Sequence, residues 1–341
     1  MTAESTQRLL ATLTQLGKQC TTLASLVKAA QFRAYGETST LDFDAAGTTL
    51  RSVTVDLALQ MESDMTKLAL CHNNFPAVPL SQDAADRLIK AHLPMLISFL
   101  KTFPHASGTT LVDTYHELGY ALLRALGGLA AAVHAVLSTS RDANAASSTQ
   151  QRVLGATQHG WNACRALKDG PRNNTEAVRQ RWSCDVLPLL IDARNELREA
   201  LASADTDSGH DSSSDLDFGV EGATSWSEEK RALAEQVATH LQVAVQVGAA
   251  IRTGCLTAKA APPIAWLDTL VPQGRALSDQ ADETVALLWS DDSLNATHES
   301  FANLQRTTTT LVASALPHIP STRGEHQTLV RAQTQSVQST E

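Results

Sequence analysis

His116-Glu117, His298-Glu299 and Cys71-His72 are the closest this sequence comes to an acid–base dyad or a metal site. A dyad needs both groups on one face, and neighbouring residues on a helix point about 100° apart, so the two His-Glu pairs read as surface residues. A zinc site would need partners for Cys71 and His72 from far away in the chain, because no second ligand pair lies nearby. The phosphate-binding glycine loops, the G-x-S-x-G nucleophile turn and the H-E-x-x-H zinc helix are all missing. The reading is therefore a non-enzyme with no catalytic, cofactor-binding or metal residue. A helical metalloenzyme ranks only third among the readings, and metal analysis of the purified protein would test it.

The bulk properties narrow the class further. The 341 residues are 43% apolar but only 4% aromatic, with 17 glycines, which favours helices over sheets. A net charge of −9 provides no field to hold a phosphate backbone, so direct DNA binding is not expected. Cysteines 20, 71, 164, 184 and 255 are odd in number, scattered and never C-x-x-C, and read as reduced, mostly buried thiols. The N-terminus has no basic-then-apolar leader, so export is not expected. Leu118 to Leu137 approaches the length of a membrane span, but it is rich in Ala and Gly and carries Arg124 and His134, so it reads as a bundle helix.

These residues must be positioned by helices. Leu9, Leu13, Leu16, Cys20, Leu23 and Val27 recur at three- and four-residue spacing, and similar stripes follow along the chain. The expected helices cover about 4–34, 46–72, 81–103, 109–138, 148–168, 174–202, 226–255, 263–289 and 293–316. Short breaks between them imply antiparallel neighbours. Pro94 and Pro188 should kink their helices, and Pro272 is instead expected to divide its own.

The expected organisation is an N-terminal bundle (1–145), a helix-turn-helix continuing it (146–202), a disordered acidic loop (203–225), a C-terminal bundle segment (226–317) and a flexible polar tail (318–341). The loop holds six acids and no Lys or Arg. Ser212 and Ser214 each have Asp three residues on and are candidate phosphorylation sites. Ser225 and Glu228 have capping-box spacing at the start of the following helix.

Val178, Trp182, Val186, Leu190, Ala193, Leu197 and Leu201 form an apolar stripe on the 174–202 helix. Its four-residue steps and Pro188 argue against a leucine zipper. The stripe is either packed within a bundle or available to a foreign helix, and the first is preferred. Arg165, Lys168, Arg172, Arg179 and Arg181 gather near the break before it, but no basic helix precedes the first helix as DNA-gripping helix-loop-helix proteins require.

Trp161-x-Ala163-Cys164, then Pro171-Arg172-Asn173-Asn174 and a long amphipathic helix, resemble the cyclin-D-binding protein family, also described as maternal Id-like helix-loop-helix molecules. The acidic insertion and the start Trp226-Ser227-Glu228-Glu229 follow in the family's order, and 49–70 and 110–123 are more weakly similar. Two departures stand out: Asn173 where the family has Asp, and Ser225 where it has an aromatic residue. The resemblance implies an all-α protein with antiparallel bundles similar to those of talin and vinculin. It implies an adaptor for D-type cyclins and helix-loop-helix transcription factors that restrains proliferation or transcription, in cytoplasm and nucleus. The alternative function is a vinculin- or talin-like cytoskeletal or membrane-proximal scaffold. In the preferred reading Trp161 and Trp182 are buried anchors beside Cys164 and Cys184, and the Pro171 turn is a structural corner.

Overall fold

Leu9, Leu13, Leu16, Cys20, Ala24 and Val27 are all buried along one side of α1 (Ala3–Lys28), as their spacing requires. The computed structural model describes residues 3–29, 43–70, 78–138, 143–206, 226–257, 261–290 and 294–338, and among these all regular structure is helical. The chain divides into two compact units at Ala177/Val178. The helix-turn-helix expected over 146–202 is thus shared between them.

Unit 1 contains α1, α2 (Phe43–Ala69), α3 (Val78–Arg87), α4 (Leu93–Thr102), α5 (Thr109–Ser138), α6 (Ala143–Lys168) and the first turn of α7 (Asn174–Arg181). A π-helical stretch, Leu88–His92, joins α3 to α4 without a break. Around the bundle α1 packs on α5, α5 on α6, α6 on α2, α2 on α3 and α3 back on α1. Five rods in a ring cannot all alternate direction, so one neighbouring pair must run parallel. Gln82 donating to Thr12 and the facing of Lys18 and Leu23 by Leu93 and Ile97 identify α1 and α3–α4 as that pair. The long apolar helix α5 meets the length and hydropathy of a membrane crossing. Here Leu122, Leu123, Leu126, Leu129 and Val133 lie in the unit 1 core.

Asp64 ties α2 to the π stretch of the α3–α4 helix. It is 3% exposed and accepts from Arg87 Nε at 2.9 Å and Nη2 at 2.6 Å, from His92 Nε2 at 3.0 Å and from Lys67 at 3.3 Å. Burial pushes its carboxyl pKa up, but the hydrogen bonds from Arg87, His92 and Lys67 outweigh this and hold it below the usual carboxylate value. A depressed carboxyl stabilises the fold above its unfolded pKa, and that contribution is lost as pH falls through the folded value.

Unit 2 holds the rest of α7, a second π stretch (Trp182–Val186), α8 (Leu187–Thr206), α9 (Glu228–Gly254), α10 (Ile264–Trp289), α11 (Leu294–Ala315) and α12 (Gly324–Gln338). Both π stretches stand immediately before Leu-Pro. Leu93 N–H donates to Leu88 O and Leu187 N–H to Trp182 O, five residues back. A proline ring clashes with the carbonyl four residues earlier, and widening the preceding turn moves that carbonyl aside. The expected kinks at Pro94 and Pro188 thus take the form of π turns. Pro272 does not divide its helix, because α10 runs unbroken from Ile264 to Trp289.

Three expectations are corrected. The 318–341 tail contains α12, because Leu329 (0% exposed) and Ala332 (3%) pack it into the unit 2 core. Helix α9 is capped by Ser227, whose Oγ accepts Lys230 N–H at 3.2 Å, rather than by a Ser225–Glu228 box. Moving the cap two residues on leaves Trp226 outside the helix, where its ring meets Trp289 at 5.2 Å. His116 is buried, its Nε2 3.3 Å from Leu100 O, and is not a surface residue; Glu117, His298 and Glu299 are exposed.

Candidate functional site

The Trp161 to Trp182 segment is built from the end of α6, a tight turn and α7. In the turn, Asp169 and Gly170 N–H groups close on Arg165 and Leu167 carbonyls at 2.8 and 3.3 Å. Gly170 packs closely, since a Cβ would stand 3.1 Å from both Leu167 O and the Tyr115 hydroxyl and would require them to shift slightly. Pro171 is buried, and its carbonyl accepts the Tyr115 hydroxyl at 3.0 Å. Tyr115 in turn stacks on Phe103 at 4.8 Å and meets Phe99 edge-on at 5.6 Å, so the turn is fastened to an aromatic cluster.

The two asparagines cap two different helices. Asn173 Oδ1 accepts Glu176 N–H at 2.9 Å and so caps α7, while Glu176 reaches back to Arg172 N–H at 2.8 Å. Asn is as good a cap as Asp would be at this position. Asn174, 4% exposed, instead sends Oδ1 to Leu111 N–H at 3.0 Å in the first turn of α5. Gly108 precedes that turn with φ of +108°, a backbone that suits glycine. A Cβ on Gly108 would lie 2.1 Å from Asn174 Cγ. The glycine therefore gives up its own capping side chain, and the remote asparagine supplies the cap, an interaction worth about 1 kcal/mol.

Trp161 is only half-buried; its Nε1 donates to Thr66 Oγ1 at 2.9 Å. Ala163 packs partly buried beside the core, and Cys164 is fully buried, 3.9 Å from the Met65 sulfur. Cys184 is exposed and is not a core neighbour of Trp182, because position 184 lies about half a turn from the buried 182 and 186 and so faces the other way. Burial pushes the thiols of Cys20, Cys164 and Cys255 up to about 12, which leaves them unreactive at neutral pH.

The stripe Val178, Trp182, Val186, Leu190 and Leu197 is 0% exposed at every position and lies in the unit 2 core. Trp182 donates Nε1–H to Gly248 O at 2.9 Å, and its ring occupies the space where Gly274 would carry a Cβ, 2.5 Å from Cζ3. Ser278 Oγ bonds to Val186 O at 3.3 Å, and Arg275 pairs with Asp185 at 2.6 Å on the outer side. Within this folded unit the stripe has no open face to offer.

Ser212, Ser214 and most of the 203–225 loop lie outside the described residues, as do Cys71 and His72. Trp226 is half-buried, and Ser227 and Glu228 are exposed at the start of α9. Among the described residues no three His, Cys, Asp or Glu side chains gather where they could hold a metal. The Asp64, Arg87 and His92 cluster escaped sequence reading because Asp64 stands 23 residues from Arg87 and 28 from His92 with no motif joining them. What the 160–182 arrangement does is cap and fasten helices; it brings no nucleophile to a base.

Residues 53–203, from α2 to α8, match the family model described as Grap2 and cyclin-D-interacting, N-terminal. No curated protein matches the chain.

Proposed function

We propose that this chain, whose residues 53–203 match the Grap2 and cyclin-D-interacting family model, is a non-enzymatic adaptor that binds a D-type cyclin. The family match is the observation that carries the reading, because cyclin-D interaction is what the family is described by. The matched region supports it chemically: its motif residues Pro171, Asn173 and Asn174 are spent on caps and fastening, and none is left as a reactive group. The finer reading takes the bundles to be of the talin and vinculin type and the adaptor to restrain proliferation or transcription, acting in cytoplasm and nucleus. It extends to helix-loop-helix factors as second partners. With the stripe in the core of unit 2, such partners engage outward-facing surfaces rather than Trp182 or Leu190.

The direct test mixes the purified chain with a purified D-type cyclin and follows the mixture by calorimetry and by gel filtration with light scattering. A saturable heat and a co-eluting complex of defined stoichiometry are expected. A flat titration with two separately eluting proteins would contradict the adaptor reading.

A further inference from the structure

The parallel seam of unit 1 leaves a groove of about 540 Å³ between α1 and the α3–α4 helix. Its cause lies in the sequence. An odd ring requires one parallel pair, and the π turn before Leu93-Pro94 falls on one wall of that seam. The floor is apolar, made by Leu23, Ile89, Leu93, Pro94 and Ile97, and Lys18 stands in the lining. Each wall, Gln15 to Leu23 and Ile89 to Ile97, is about 12 Å long, two turns of helix.

Charge identifies the occupant. The two walls contain two lysines, Lys18 and Lys90, and no Asp or Glu, with Lys28 and Lys101 further along the same helices, in a chain whose net charge is −9. Lys90 pairs with Asp86 at 3.1 Å, and Lys28 sits 4.3 Å from the centre of the Tyr120 ring. Lys18 is exposed and lines the groove itself. Resting on the adaptor reading, we infer that this groove is the docking site for an acidic amphipathic helix of a protein partner. Apolar side chains one turn apart enter between Leu23 and Leu93, and a flanking carboxylate meets Lys18. A concave, two-walled trough suits a helix, whereas a flat bilayer would need the apolar side chains to project.

The test uses the full chain and a fluorescent synthetic helix with leucines at one-turn spacing and glutamates on the flanks, read by anisotropy. A second peptide carries lysines in place of the glutamates, and vesicles of phosphatidylserine and phosphatidylcholine form the third arm. The glutamate peptide should bind saturably and about tenfold more tightly than the lysine peptide, with Lys18→Glu reversing the preference. Gln15→Trp, at an exposed lining position, should weaken both peptides by filling the trough. Equal binding of the two peptides, indifference to Lys18→Glu, or Lys18-dependent binding to vesicles but not peptide would overturn the inference. Because the cyclin titration is independent, a groove that fails while cyclin binds sinks only this site. A groove that binds while cyclin does not sinks only the adaptor reading.

Discussion

Replacing Trp182 with alanine is expected to destabilise unit 2 by about 3–5 kcal/mol, a large share of a domain's stability. The indole is 0% exposed, so the substitution removes its whole buried surface. Neighbours cannot collapse into the space at low cost, because Gly248 and Gly274 are held on α9 and α10 at the spacing the ring sets. Gly248 also loses the Nε1–H donor that reaches its carbonyl at 2.9 Å. Cyclin binding should weaken only in step with unfolding, at temperatures where the variant melts. A Trp182→Ala protein with unchanged helical circular dichroism and thermal midpoint that no longer binds cyclin would show that the stripe is a docking face.

Acidification from neutral pH to pH 4 should cost unit 2 about 3 kcal/mol through one residue, His240. Burial pushes its imidazole pKa down to about 4, only partly countered by a hydrogen bond involving the Leu304 backbone. The ring is 8% exposed, lies 3.0 Å from Thr308 Oγ1 and meets Phe301 edge-on at 5.7 Å. It is neutral in the fold, whereas the unfolded chain takes up a proton at about pH 6.5. Stability is therefore full above pH 6.5 and falls by about 1.4 kcal/mol per unit until the folded group also protonates. His318, half-buried against Trp266, is lowered in the same direction, so the comparison must be made by variant. Denaturant unfolding of the native chain and of His240→Gln between pH 7 and 4.5 should give a clearly shallower pH slope for the variant. Identical slopes would show that His240 already reaches solvent in the native state.

The helices themselves were legible because burial repeats every three or four residues; the Val178 to Leu197 stripe was legible as apolar, with core packing only the preferred of two readings. The family motif was legible as letters, but its work was not. Asn174 caps a helix that begins 65 residues earlier, and such pairings leave no local period. The same holds for Asp64 with Arg87 and His92. Helix α12 was missed because few apolar residues mark it, and two of them, Leu329 and Ala332, suffice only because a preformed core receives them. The prolines announced a disturbance, but its form depended on the carbonyl register of the preceding turn.

The stripe lies in the core of unit 2, and the proposed partners are expected to bind elsewhere. Hydrogen exchange over residues 178–197, followed by mass spectrometry with and without saturating D-type cyclin, tests this most directly. Slow exchange, set by unfolding of unit 2, is expected in the free chain as well as in the complex. Fast exchange in the free chain that becomes slow only in the complex would contradict this.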